Sequence, residues 1–274
     1  MIRSLRAHWP EYLMEAAGLG AFMVSACVVV ALLEHPASPV HAFLPAATVR
    51  RLLVGLAMGA TAIAIIYSPW GRRSGAHINP AVTLTFLRLG RIAKADAFFY
   101  VCGQFAGGVA GVALSRLVLG PAVAHPSVDW VVTVPSPAAG ALGAAAAEGF
   151  ISFVLMLTIL FVGGSSRGAR YTGLCAGTLV ATYIVLEAPI SGMSMNPART
   201  SASAVFAGEW TALWVYLTVP PVAMLLAADV YLATRGTSRR ACAKLHHASD
   251  VRCIFCGYKP PTTEAPTQHP GEPQ

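Results

Sequence analysis

The chain has 274 residues, of which 55% are hydrophobic and 11% charged, about half the charged share of an average soluble protein (~25%). That balance points away from a water-soluble globular domain and toward a membrane-embedded one. A formal charge of +7 would suit a nucleic-acid binder, but the basic residues are spaced by topology rather than gathered in one patch, so no nucleic-acid partner is expected. Cys27, Cys102 and Cys175 sit in apolar stretches as small buried hydrophobes, so the six cysteines do not form a secreted disulfide framework.

Taken in chain order, residues 1–10 read as a short cytoplasmic N-terminal segment. Met1-Ile2-Arg3 lies too far from a small-residue cleavage site to read as a removed signal, so the first span is expected to insert directly. Spanning helices are expected at 11–33, 47–69, 94–119, 138–163, 171–190 and 210–234, because each contains a long window without Asp, Glu, Lys or Arg and a spanning helix needs roughly 20 apolar residues. The fold class is therefore an all-α membrane protein. With six spans and both termini on one side, Arg3 and Arg6, then Arg72, Arg73, Arg88, Arg91 and Lys94, then Arg167 and Arg170, and finally the basic residues after the sixth span all fall on that side. The excess of Lys and Arg on cytoplasmic loops makes that side the cytoplasm, with both termini there, probing the chain as a multi-pass protein of the cell (inner) membrane. Arg50 and Arg51 break the pattern and are expected to snorkel at the outer interface. Gly55-x-x-x-Gly59, Gly107-x-x-x-Gly111 and Gly173-x-x-x-Gly177 should let helices cross closely.

Asn-Pro-Ala occurs twice, at Asn79-Pro80-Ala81 and Asn196-Pro197-Ala198, each closing the string Ser-Gly-x-x-x-Asn-Pro-Ala. Asn is a favoured N-cap and Pro a favoured first helical residue, so each copy should open a short helix. The copies fall between spans two and three and between spans five and six, which begin on opposite sides. The halves, about 11–134 and 135–234, thus form an inverted repeat whose motifs meet near the midplane. A half-helix from Asn79 to about Arg88 is roughly 15 Å long, and two end to end fill the ~30 Å hydrocarbon core. Irregular backbone at that depth must be packed in protein or line water, so 74–78 and 191–195 predict an aqueous path.

These paired strings, the six spans and Arg199 after the second motif resemble the aquaporin (major intrinsic protein) family over about residues 11–234. The resemblance implies six transmembrane helices plus two re-entrant half-helices, a homotetramer with one pore per subunit, and passage of water and small neutral solutes across a lipid bilayer without enzymatic activity. It implies that Asn79 and Asn196 donate to a midplane water, and that the carbonyls of Gly75, Ala76, His77, Ile78, Gly192, Met193, Ser194 and Met195 form acceptor ladders. Arg199, whose counterpart in the first motif is Val82, would be the filter cation, with Met58, Ile184 and Met193 completing the constriction. Those three depart from the aromatic, His and small polar residue typical of water-selective members. Glycerol-conducting members usually carry Asp after the Arg, and here it is Thr200. The permeant is therefore open between water and glycerol, urea or ammonia. Glu15 and Glu148 would accept hydrogen bonds from the re-entrant loops, and His77 would brace its loop.

Two other classes remain: a proton-coupled transporter using Glu15 and Glu148, and a junction or scaffold protein with a vestigial pore. The tail, 235–274, offers Cys242, His246, Cys253 and Cys256 as donors for a tetrahedral zinc site, against the alternative of an unstructured tail with no cofactor. From Lys259 on, its Pro- and Thr-rich composition reads as disordered.

Overall fold

The computed structural model describes residues 1–235, 242–247 and 250–260. Among them are six helical segments long and apolar enough to cross a membrane, built on α1 (Ile2–Glu34), α2 (Ala47–Tyr67), α4 (Lys94–Leu119), α5 (Gly140–Gly163), α6 (Thr172–Leu186) and α8 (Leu213–Arg235); a 3₁₀ turn extends α4 to Ala124, and another starts the α6 span at Ala169. Two short helices, α3 (Pro80–Arg88) and α7 (Pro197–Ala207), follow the two motifs. At 9 and 11 residues they are together about 30 Å long, one hydrocarbon thickness.

Two boundaries differ from expectation. α1 begins at Ile2 rather than near residue 11 and runs through Pro10, which costs one backbone hydrogen bond but leaves the rest of the ladder intact. α6 ends at Leu186 rather than 190, because a separate turn, Ala188–Ser191, starts with Pro189 in its first positions. That turn matches Pro69–Ser74 in the first half. Both end on a left-handed glycine, Gly75 (φ 103°) and Gly192 (φ 81°), a conformation an L side chain resists.

Helix pairing follows the repeat. α1 packs on α4 and α5 on α8, while α2 packs on α6 across the halves. The small-residue spacings sit at the close approaches. A Cβ on Gly107 would overlap the Ala16 carbonyl, and one on Gly59 would stand 2.6 Å from the Gly177 carbonyl oxygen. The apolar side chains left outside, among them Leu117, Phe150 and Leu142, are exposed on spanning helices, as a lipid-facing surface requires.

Arg50 does not snorkel. It is buried and donates to Glu34 at 3.0 Å and to the carbonyls of Leu44 and Pro45 at 2.9 Å each, tying down the α1–α2 loop. The described part of the tail contacts the opening turns of α1, where Arg252 meets Glu11 at 2.9 Å. The first and last described segments therefore lie at the same end of the bundle, together with Arg72 and Arg73. The stretch expected to be disordered lies, from residue 261, outside the described residues.

The glycine contacts give a direct check. Gly107→Ala should lower stability by about 1–3 kcal/mol through overpacking, read as a fall in melting temperature in detergent. Gly149→Ala, whose new Cβ would meet Val219 at an ordinary 3.4 Å, should leave it unchanged. Equal effects would contradict the close α1–α4 approach.

Candidate functional site: two half-helices meeting in a central cavity

Each re-entrant loop is held by one buried carboxylate. Glu15 accepts from Ser74 Oγ at 2.7 Å, from the His77 N–H at 3.0 Å, from the Ile78 N–H at 2.6 Å and from Gln104 Nε2 at 2.9 Å. Glu148 accepts from Ser191 Oγ and from the Ser194 and Met195 N–H groups, all at 2.7 Å. Neither carboxylate is exposed. Charged acceptors bond more strongly than neutral ones, and their absence would leave buried N–H groups unpaired. Each loop also contains two non-glycine residues in left-handed backbone, Ala76 and Ile78, then Met193 and Met195. For β-branched Ile78 this conformation is strained, and the Glu15 bond to its N–H holds it there. A second matched pair ties the loops to α4 and α8: Tyr100 donates to the Ser74 carbonyl and Tyr216 to the Ser191 carbonyl, both at 2.6 Å.

So fixed, the loops bring the two Asn-Pro-Ala turns together. Asn79 Oδ1 caps α3 by accepting from the Ala81 N–H, and Asn196 Oδ1 caps α7 by accepting from the Ala198 and Arg199 N–H groups. Each side-chain amide then crosses to the other half. Asn79 Nδ2 donates to the Met195 carbonyl and Asn196 Nδ2 to the Ile78 carbonyl, both at 2.8 Å. One N–H of each amide is used in this way, and both residues line the central cavity, leaving the second N–H for an occupant. Pro80, Ala81, Pro197 and Ala198 are buried behind them.

The cavity has a volume of ≈ 480 Å³ and runs from Glu34 and Arg51 at one mouth to Leu245 at the other. Its wall is mostly apolar. Met58, Ile184, Met193 and Arg199 all line it, as do Ala76, His77, Ile78, Gly192, Ser194 and Met195. Gly75 is not on the wall; its carbonyl accepts from the Leu245 N–H at 3.1 Å. The expected acceptor ladder is therefore shorter than eight. Gly75 is covered by the tail, while the Ile78 and Met195 carbonyls each accept from one Asn amide and keep a second lone pair.

Arg199 is half-buried, and its Nη1 has no hydrogen-bond partner among the described residues. The residue lines the cavity, but Nη1 itself is enclosed, so Arg199 brings a buried, unpaired donor beside the path. Thr200 instead joins Thr133 and Ser194 at 2.6 Å each, bracing the α7 start. His77 lies against Thr83 (3.1 Å) and the Ala243 carbonyl (2.9 Å). A carbonyl only accepts, so Nε2 carries a proton; the Thr83 hydroxyl also donates to the Asn79 carbonyl at 3.2 Å, which links His77 to the first motif.

Sequence reasoning missed Tyr100, Tyr216, Gln104 and the segment between the repeats. Val128, Val131 and Val132 line the Arg51 mouth, and Trp130 stacks on Phe206 at 5.4 Å. Their signal was only a Pro-containing linker with a single charged residue, Asp129. The tyrosines recur at matching places in the two halves, which a repeat alignment of α4 and α8 could have found. Of the expected tail donors, Cys242, Cys253 and Cys256 come together, but His246 does not; it packs on Tyr67 at 4.9 Å. His247 takes its place, because the turn there points consecutive side chains in different directions.

Residues 2–231 match the family described as Major intrinsic protein. The chain belongs to the major intrinsic protein family. Among curated relatives, Aquaporin NIP1-3 of Oryza sativa subsp. japonica is 35% identical over 182 residues, 66% of this chain and 61% of that protein. Aquaporin NIP1-1 of Arabidopsis thaliana is 34% identical over 190 residues, 68% of this chain and 63% of that protein. The matched part thus spans less than two thirds of the length of either relative. The X-ray structure of the aquaglyceroporin from Plasmodium falciparum shares the fold with a TM-score of 0.65 at 18% identity, covering 82% of this chain and 95% of that one. Six spans and two half-helices in an inverted repeat are the family's architecture in this chain.

Glu148→Gln replaces one acceptor oxygen with an N–H₂ facing an N–H donor. It should cost about 1.5–3 kcal/mol, read as loss of thermal stability in detergent, whereas Glu209→Gln, in a half-exposed loop where the side chain accepts from the Thr211 N–H, should cost little. Equal stability of the two variants would contradict the anchoring role.

Proposed function

We propose that the chain is a passive channel for water and other small uncharged solutes that excludes protons and ions, and that it is not an enzyme. The observation that carries this reading is the pair of Asn-capped half-helix N-termini facing one another in the cavity, each Asn bonded to the other half. Each helix N-terminus carries roughly half a positive charge, so a cation at the midplane meets two repulsive ends. A water there accepts from two Asn N–H groups, which turns its own hydrogens outward. The hydrogen-bond file is broken as a proton wire while the water itself passes.

Arg199 supports the same reading from the Arg51 side of the cavity. A cation on an intramembrane wall is costly unless it serves the path, and with Met58, Ile184 and Met193 around it the constriction has one strong donor and three apolar faces. That wall favours a permeant with a hydroxyl or amide on one side and carbon on the other, so glycerol- or urea-sized neutral solutes join water as candidates. The names of the relatives, aquaporin and aquaglyceroporin, are consistent with either. The positive-inside pattern supports a cell-membrane protein with both termini cytoplasmic, and the family resemblance supports a homotetramer with one pore per subunit. A proton-coupled transporter is disfavoured, because Glu15 and Glu148 are fully enclosed by the donors they hold in place.

Stopped-flow light scattering of proteoliposomes should show osmotic water permeability, and at least one of glycerol, urea or ammonia permeability, above that of empty liposomes. Because the tail contacts one mouth, the measurement includes a Cys253→Ser, Cys256→Ser form. No rise for any solute in either form would refute the channel. Arg199→Val should keep neutral-solute flux and raise proton or alkali-cation leak several-fold. An unchanged leak would remove Arg199 from the barrier.

A further inference from the structure

The described tail has neither helix nor strand, yet Ala243, Lys244, Leu245, Cys242 and Cys253 are buried. So few residues cannot build a core large enough to hold themselves. We propose that Cys242, His247, Cys253 and Cys256 bind a zinc-class divalent cation, and that the segment so folded is a plug seated in the mouth of the pore beside the N-terminus. The gating half of this proposal rests on the channel reading; the metal half does not.

The donor geometry suits the ion. One ligand atom from each of the four residues lies within 4.8 Å of all the others. Around a tetrahedral zinc with bonds of about 2.3 Å to sulfur and 2.0 Å to nitrogen, donors stand roughly 3.5–3.8 Å apart. Cys242 Sγ lies 3.2 Å from Cys253 Sγ, and His247 Nε2 lies 3.3 Å from Cys256 Sγ. Cys253-x-x-Cys256 is closed by a turn in which the Gly257 N–H donates to the Cys253 carbonyl at 3.1 Å, with Gly257 at φ 73°. The backbone of Phe255 and Cys256 hydrogen-bonds to Cys253, and that of Lys244 to Cys242, the donors a metal-bound thiolate needs around it. Three cysteines and a histidine are a soft donor set that favours zinc over oxygen-seeking cations.

The seat is the first re-entrant loop itself. The Leu245 N–H donates to the Gly75 carbonyl at 3.1 Å, and His77 Nε2 donates to the Ala243 carbonyl at 2.9 Å. The Leu245 side chain forms part of the cavity wall. Phe255 stacks on His77 with ring centroids 5.6 Å apart, Arg252 grips Glu11, and Arg72 pairs with Asp250. The tail therefore occupies the Gly75 carbonyl and the His77 imidazole of the first re-entrant loop. Metal binding is coupled to folding because the liganding geometry does not exist in the unfolded segment. Removing the ion should free the mouth.

The test uses the full chain, Cys253→Ser, Cys256→Ser, and Arg252→Glu, which breaks the Glu11 contact without touching a ligand. Three quantities are read with Zn²⁺ supplied and after a chelator: zinc per subunit by elemental analysis, deuterium uptake over residues 242–258, and water permeability of proteoliposomes. The expected result is about one zinc per subunit in the wild type and in Arg252→Glu but background in the double variant. Uptake should be slow throughout in the zinc-loaded wild type, fast at the seat around Leu245 but slow around Cys253–Gly257 in zinc-loaded Arg252→Glu, and fast throughout without zinc, and permeability should be several-fold higher in both variants and after chelation. Background zinc in the wild type would overturn the metal site. Stoichiometric zinc with equal permeability in all forms would overturn the plug. Stoichiometric zinc and the expected exchange pattern with no flux in any form would refute the channel reading and the gating with it, while upholding the metal site.

Discussion

Everything in this molecule depends on two buried carboxylates accepting backbone N–H groups from two non-helical loops. A chain that turns back at mid-membrane exposes amides to a medium without water, and each unpaired one costs several kcal/mol. Glu15 and Glu148 meet that cost in the same way in each half, through a Ser hydroxyl and two successive N–H groups. With the loops fixed, the Asn caps, the left-handed residues and the crossed Asn-to-carbonyl bonds take the only arrangement left to them. The cavity follows, because two half-helices meeting end to end cannot fill the space a continuous helix would occupy.

The two halves share a frame but not a chemistry. Val82 faces Arg199 across the pseudo-symmetry, and Gln104, which donates to both Glu15 and Thr83, has Pro220 at the matching place one turn after Tyr216. The half near the termini thus has a denser polar network under its loop, and that loop carries the tail. The other half carries Arg199 on the cavity wall, which it shares with Val128, Val131 and Val132 of the segment between the repeats. In the proposed channel, Arg199 and the tail thus stand at opposite ends of one path.

Much of the frame is legible in the sequence, for physical reasons. Apolar windows without charge mark α2, α4, α5 and α8 because lipid forbids charge, and Asn-Pro marks α3 and α7 because capping chemistry is local. Glu15 and Glu148 stand out because carboxylates in apolar spans are rare. Irregular tertiary contacts leave no such trace. Nothing periodic announces that Arg50 ties a loop, that Val131 and Val132 line a mouth, or that the carbonyls of Gly75, Ile78 and Met195 are already engaged. The exchange of His246 for His247 turns on which way one residue points in a segment without helix or strand, where no repeat fixes the direction. Local chemistry is written in the sequence, whereas the packing of irregular backbone is decided only in three dimensions.

The central claim is that a polar path passes between the Asn79 and Asn196 amides at the midplane. A density map of the protein in a lipid nanodisc, at a resolution that shows water, tests it most directly. The account expects solvent in single file through the cavity, with one position within hydrogen-bond distance, about 3 Å, of Nδ2 of both Asn79 and Asn196. A midplane closed by packed side chains, with no solvent reaching either amide, would contradict it.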